Sequence, residues 1–203
     1  MGKKIKAIIF DFDGVIHDTF DLAYGIHKNL NPKLSKEDYR SYFDGNLFEI
    51  VAKKPLKEKP GKFRELEFEA FKKLKIEGEI RNVLQKLSKK YDLYIISSNT
   101  AKNLNMYFEN NNFTNIFKEI FAMETHKSKS EKFKILFNKY GLDSDSCIFI
   151  TDTLGDILEA KKAGVKSIAC TFGFHEKERL EKGNPYKIVS SFDEIMKVIT
   201  EIK

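Results

Sequence analysis

The sequence predicts an α/β fold, a doubly wound and mostly parallel sheet with a helical subdomain inserted near its start. Three observations carry this. Short runs that are apolar at consecutive positions recur along the chain. Segments with helical period alternate with them, and one long N-terminal stretch contains helical patterns but no such run. Runs apolar on both faces suit strands covered by helices on either side, and regular alternation with helices makes such a sheet parallel.

The first run covers residues 5–10, and the others cover 93–96, 120–123, 147–150, 167–171 and a weaker 187–189. Helical period marks 79–90, 100–110, 130–140 and 155–163. In the third of these Phe133, Leu136, Phe137 and Tyr140 share one face, the pattern of core residues. Gly141 and Gly164 follow two of the helices as C-terminal stops. Residues 17–76 hold amphipathic stretches separated by Asn31-Pro32, Asp44-Gly45 and the segment 55–61. About sixty residues is far longer than an ordinary strand-to-strand crossover, so this stretch reads as a separate helical insert.

Several function classes are disfavoured. The chain carries a net charge of +6, but Lys132, Lys134, Lys139, Lys161 and Lys162 are scattered among glutamates on helices. That pattern reads as a solvated surface and predicts no nucleic-acid partner. No apolar run is long enough to cross a bilayer and no secretory h-region follows Met1, so no membrane partner and a cytoplasmic location are expected. Cys147 and Cys170 each sit in or beside an apolar run with no CxxC spacing, as buried thiols of a reducing compartment do. His17, His27, His126 and His175 share no metal-binding spacing.

Chemistry concentrates where strands are expected to end, because ligands of parallel α/β sheets bind beyond the strands' carboxyl ends. The first run ends in Asp11-Phe12-Asp13-Gly14. Extended alternation puts Asp11 and Asp13 on one side and Phe12 on the other. Two carboxylates so close repel unless a cation holds them, and hard oxygen ligands favour Mg2+. The run 147–150 ends in a second acidic pair, Asp152 and Asp156, within Thr151-Asp152-Thr153-Leu154-Gly155-Asp156. Either aspartate alone reads equally well as a helix N-cap; two strand-end pairs in one chain are far more specific. Ser97, Ser98 and Asn99 follow the run 93–96 and precede a helix, where a hydroxyl and free N–H groups can cradle phosphate. A basic residue after the run 120–123, either Lys127 or Lys129, can neutralise its charge.

These four elements in this order resemble the haloacid dehalogenase-like superfamily, in its phosphoglycolate phosphatase-like branch with a small helical cap. DFDGV matches the family's first motif and TDTLGD its fourth, and the resemblance runs from residue 5 to about residue 174. It implies a Rossmann-like catalytic core of residues 1–16 and 77–203 with a cap of residues 17–76. It also implies a Mg2+-dependent phosphatase acting on a small phosphorylated metabolite; whether as monomer or homodimer is left open by the sequence. Asp11 would be the nucleophile and Asp13 the general acid and base. Mg2+ would be held by Asp11, Asp13 through its carbonyl, Asp152 and Asp156, and phosphate by Ser97, Ser98, Asn99 and one of the two lysines. A phosphosugar mutase of the same branch and a non-catalytic phosphate-binding module are the alternatives. Two departures stand out. Thr151 precedes Asp152 where the family has glycine, and no proline follows the candidate lysine. Gapless counting favours Lys127, whereas reading Ser130 as the helix N-cap favours Lys129. His17 and Asp18 are close enough to the first motif to reach substrate from the cap hinge. Phe172 to His175 is placed to line the entrance, and Gly45-Asn46 sits where similar caps carry a specificity loop.

Overall fold

A computed structural model describes residues 4–56 and 61–202. Its sheet has six parallel strands, β1 (Ala7–Phe10), β2 (Asp92–Ile96), β3 (Glu119–Phe121), β4 (Cys147–Thr151), β5 (Lys166–Cys170) and β6 (Lys187–Val189). They lie in the order β3-β2-β1-β4-β5-β6, all pairs parallel. All six apolar runs thus form strands. β3 ends at Phe121, two residues before the expected boundary, because Ala122 and Met123 turn out of the sheet toward Asn99.

Alternation along the strands splits the core into two layers. Ile8 and Phe10 of β1, with Ile95, Ile148 and Ile150, face one side. There they meet Val83, Leu84 and Leu87 of α5 (Gly78–Ser88), Leu104 of α6 (Ala101–Asn110) and Ile195 of α10 (Phe192–Glu201). Ala7, Ile9, Tyr94, Ile96 and Phe149 face the other, against Phe133 and Leu136 of α7 (Lys129–Tyr140) and Ala160 of α8 (Leu154–Lys162). Strands apolar at every position exist because both faces are covered. The thiols of Cys147 and Cys170 are free and buried, and burial pushes the Cys147 thiol up to about 12, so it is inert near neutrality.

Residues 17–76 contribute α1 (Phe20–Leu30), α2 (Lys36–Ser41), α3 (Leu47–Lys53) and α4 (Lys62–Phe71), and no strand among the described residues. They assemble around a separate apolar cluster of Phe20, Leu34, Tyr39 and Tyr42, into which the core contributes Phe174. The end of α4 returns to the core, where Phe71 packs on Phe12 at 5.8 Å between ring centroids. A short helix α9 (Lys177–Glu181) and a single 3-10 turn (Ser144–Ser146) complete the elements of the described residues, and α9 and α10 lie beyond the helical segments marked by sequence period.

One expectation about the surface fails. Lys132 is fully buried, not solvated. It lies three residues after Lys129 and one before Phe133, on the face of α7 that meets the sheet, and its ammonium donates to the Ser97 carbonyl. Burial, and then repulsion by Lys129, lowers its pKa to about 7.

Candidate active site

Strands β1 and β4 are neighbours, with Phe10 opposite Ile150, so their ends deliver both acidic pairs to one place. This is the switch point of the sheet, where β2 and β4 diverge on either side of β1, and a crevice forms there.

Asp11 leaves β1 with its N–H donating to the Ile150 carbonyl (2.8 Å). Its Oδ1 accepts from the Phe12 N–H (2.7 Å), while Oδ2 accepts from Lys129 Nζ (2.7 Å). Phe12 itself turns into the core against Tyr107 and Phe108. The chain then reverses at Gly14, whose φ of +74° suits glycine and where a Cβ would collide with the Asp152 carboxylate. Asp13 is held by the Thr19 hydroxyl (2.7 Å to Oδ1) and by Asn99 Nδ2 (3.3 and 3.1 Å to its two oxygens).

Lys129 is the first residue of α7 and is 2% exposed. Its ammonium also donates to Asp156 Oδ2 (2.6 Å), which accepts from the Thr151 hydroxyl as well (2.8 Å). Asp152 accepts from the Phe174 N–H through Oδ2 (2.7 Å), whereas its Oδ1 is buried with no hydrogen-bond partner. Neither aspartate caps α8; Thr153 does, accepting from the Asp156 N–H (3.4 Å).

Four carboxylates therefore face one bound ammonium. Burial, followed by Asp156 and Asp152 working against the help of Lys129, holds Asp11 well above the ordinary carboxylate range. Asp152 is raised by burial despite the Phe174 N–H, and Asp13 is raised by burial despite Thr19 and Asn99. Burial also acts on Asp156, but Lys129 and the hydrogen bonds it receives outweigh it and leave it lowered. Burial opposes the charge on Lys129 too, yet Asp11 and Asp156 raise its pKa. The cluster is short of positive charge, and a buried carboxylate oxygen without a partner is a place for a cation. Among the described residues no three such groups already converge as a formed metal cage, since the ammonium occupies the space between Asp11 and Asp156.

The loop after β2 supplies the third wall. Ser97 is buried and its hydroxyl accepts from the Asn99 N–H (3.0 Å). Ser98 faces the cavity, and Thr100 caps α6. Lys127, one half of the lysine alternative, stands apart from this cluster. It is exposed, its carbonyl accepts from Asn46 Nδ2 (3.2 Å), and its ammonium hangs 6.0 Å from the Phe48 ring. Ser128, not Ser130, is the N-cap residue of α7, so the first turn points Lys129 inward. His17 and Asp18 do not line the cavity. The His17 ring meets the Tyr107 hydroxyl (3.3 Å), and Asp18 accepts from the Phe20 N–H (3.1 Å).

Above this floor lies a cavity of about 250 Å³, roofed by α1, α3 and α4 and the loops between the helices. Gly45 and Phe174 line it; Asn46 instead caps α3, accepting from the N–H groups of Phe48 and Glu49 (both 3.1 Å). The roof rests on the floor by backbone: the Gly155 N–H donates to the Phe43 carbonyl (2.8 Å), and a Cβ at 155 would collide with the Gly45 carbonyl. Arg40 and Arg179 add contacts, Arg40 Nε donating to the Phe174 carbonyl (2.9 Å) and Arg179 pairing with Glu37 and Asp44.

A family model described as haloacid dehalogenase-like hydrolase matches residues 8–170. The chain belongs to this family. As a haloacid dehalogenase-like hydrolase it is similar over nearly its whole length to the phosphoglycolate phosphatase of Aliivibrio fischeri, 22% identical over 98% of this chain and 99% of that one. The phosphoglycolate phosphatase of Synechococcus elongatus is 21% identical over 98% and 99% of the two chains. These relatives set this haloacid dehalogenase-like hydrolase in the phosphoglycolate phosphatase-like branch. Its fold is shared with a haloacid dehalogenase-like family hydrolase of Streptococcus pneumoniae (TM-score 0.79, 23% identity, 96% and 98% covered).

Two site residues of this haloacid dehalogenase-like hydrolase were not signalled by any motif. Glu67 of α4 is buried and accepts from Arg64 (2.9 Å) and from Asn103 Nδ2 (3.0 Å). Asn103 Nδ2 also donates to Asn99 Oδ1 (2.9 Å), so a chain of amides joins Glu67 to Asp13. Burial raises Glu67 to about 7, with Asp13 adding to the effect and Arg64 opposing it. Only the helical period of α4 could have flagged an inward glutamate, four residues before Phe71.

Proposed function

We propose that this chain is a Mg2+-dependent phosphatase that hydrolyses a small phosphomonoester through an aspartyl phosphate on Asp11, with residues 17–76 as a cap over the site. It is a phosphoric monoester hydrolase by family and by its phosphatase relatives. The observation that carries the finer reading is the meeting of two strand-end acidic pairs around Lys129 at the switch point.

Asp11 attacks phosphorus, forming one O–P bond while the bond from phosphorus to the leaving oxygen breaks. Asp13, whose pKa burial raises, gives a proton to that oxygen, so that the product leaves as an alcohol. Asp13 then takes a proton from the water that cleaves the acyl phosphate, which releases inorganic phosphate and restores Asp11. Lys129 and the Ser97-Ser98-Asn99 loop offset charge on the phosphoryl oxygens, and Lys132 fixes that loop through the Ser97 carbonyl. Asp152, through its unpartnered Oδ1, together with Asp11, the Asp13 carbonyl and Asp156, would hold Mg2+. When bound, Mg2+ supplies Lewis-acid stabilisation of the phosphoryl charge and lowers the raised Asp11 pKa.

The test is phosphate release across a set of phosphomonoesters, with Mg2+ and with EDTA, for the parent and for Asp11→Asn. Release that needs both Mg2+ and Asp11 is expected. Equal turnover by the Asp11→Asn variant removes the proposed nucleophile.

A further inference from the structure

The floor of the cavity handles a phosphoryl group, whereas its roof is chemically different. The side chains around the space above Asp11 include Tyr39, Tyr42, Phe43, Phe48, Phe63 and Phe174. Aliphatic side chains of α3 and the loop after it, Leu47, Val51 and Leu56, fill the gaps between the rings. His27 lies flat on Phe63, with centroids 3.9 Å apart and planes within 6°, and extends the aromatic wall.

Much of the charge on the described walls is paired within the protein. Among the described lining residues the lysine is Lys129, held by Asp11 and Asp156, and the arginine is Arg64, held by Glu67 and touching Met123 Sδ at 3.4 Å. Glu67 stands on the same side as Asp13, its carboxyl group held by Arg64 and Asn103. A leaving group bearing its own carboxylate would meet aromatic carbon and buried carboxylates. Desolvating an anion beside those carboxylates is costly, and Arg64, already paired with Glu67, offsets it only in part. An uncharged hydrocarbon group would instead gain from every methylene removed from water. Size matters as well. About 250 Å³ lies below the usual range of about 300–1,000 Å³ for drug-sized ligands, so the leaving group is small.

Resting on the phosphatase reading above, we propose that the preferred substrate is a phosphomonoester of a small, uncharged, largely apolar alcohol, with the leaving group seated against α3 and Phe63. A short alkyl or benzyl alcohol has the required chemistry; glycolate, with its carboxylate, does not.

The experiment measures kcat/KM for methyl, ethyl, butyl, hexyl and benzyl phosphates with Mg2+, beside phosphoglycolate and glycerol phosphate. All are esters of alkyl alcohols, which keeps differences in intrinsic reactivity small. The expected result is a rise of about fourfold per added methylene up to butyl. A plateau by hexyl follows from the cavity's size, and phosphoglycolate falls at least about tenfold below butyl phosphate. Val51→Asp flattens the dependence on chain length, and Leu47→Ala, a milder change, weakens it. A flat series in the parent, or phosphoglycolate or glycerol phosphate as the best substrate, overturns the proposal and leaves the phosphatase reading standing. Failure of every ester to release phosphate overturns that reading itself.

Discussion

The floor and the roof of the cavity are built on opposite plans. On the floor Asp11, Asp13, Asp156 and Lys129 are nearly all multiply hydrogen-bonded, and their pKa values are displaced by burial and by one another. The roof is mostly rings and aliphatic chains carried by short helices; α3 has no fully buried residue. The difference teaches where each property resides. On the proposed reading, reaction type rests on a few charges at strand ends and helix starts, which tolerate little change, and choice of leaving group on apolar contacts that add up in small increments and can be altered one at a time.

Floor substitutions should therefore damage turnover of all substrates alike. Asp11→Asn is expected to lower kcat by about 10⁴-fold or more for every ester, read as phosphate release. Lys129→Met strands two buried carboxylates, and a loss of about 3–5 kcal/mol of stability in urea unfolding is expected, with Asp11→Asn partly restoring it in the double variant. Saturating Mg2+ should stabilise the parent against thermal unfolding by about 2–3 kcal/mol at a hundred times Kd, and Asp152→Asn should abolish that shift. At the seam between floor and roof, Glu67 ties α4 to Asn103. Its folded pKa of about 7 exceeds the ordinary 4.5. Its contribution is thus fully present below about pH 4.5 and is lost as pH rises through 7. Arg64 and Asp13 are the charges that face it. Glu67→Gln should remove this dependence, so that the stability of the parent falls relative to the variant between pH 5 and 8, by about 1–3 kcal/mol. The smallest effect is expected in the roof. Val51→Ala should cost about 1 kcal/mol of stability and reduce kcat/KM for butyl phosphate more than for methyl phosphate.

The same contrast explains what the sequence disclosed. The six strands were legible because two-sided burial leaves uninterrupted apolar runs, as in Ala7 to Phe10 and Cys147 to Ile150. The acidic pairs were legible because strand ends fix both their spacing and their side. The lysine was ambiguous because gapless counting from Asp152 pointed to Lys127 while a helix start nearby pointed to Lys129, and only the actual start of α7 at Lys129 turns that side chain inward. Lys132 was misread as solvated because charge usually means exposure, and only its position beside Phe133 on the inward face contradicted that. Glu67 and the aromatic wall left no motif. Their roles depend on where four short helices settle over the sheet, which local periodicity does not encode.

The seat of the roof on Gly155 has a consequence for engineering. The clearance between the two halves is set by a methyl group that the core lacks, since any side chain at that position would meet the Gly45 carbonyl. Transplanting this cap elsewhere would carry over its rings but lose the fit unless the recipient also has glycine there.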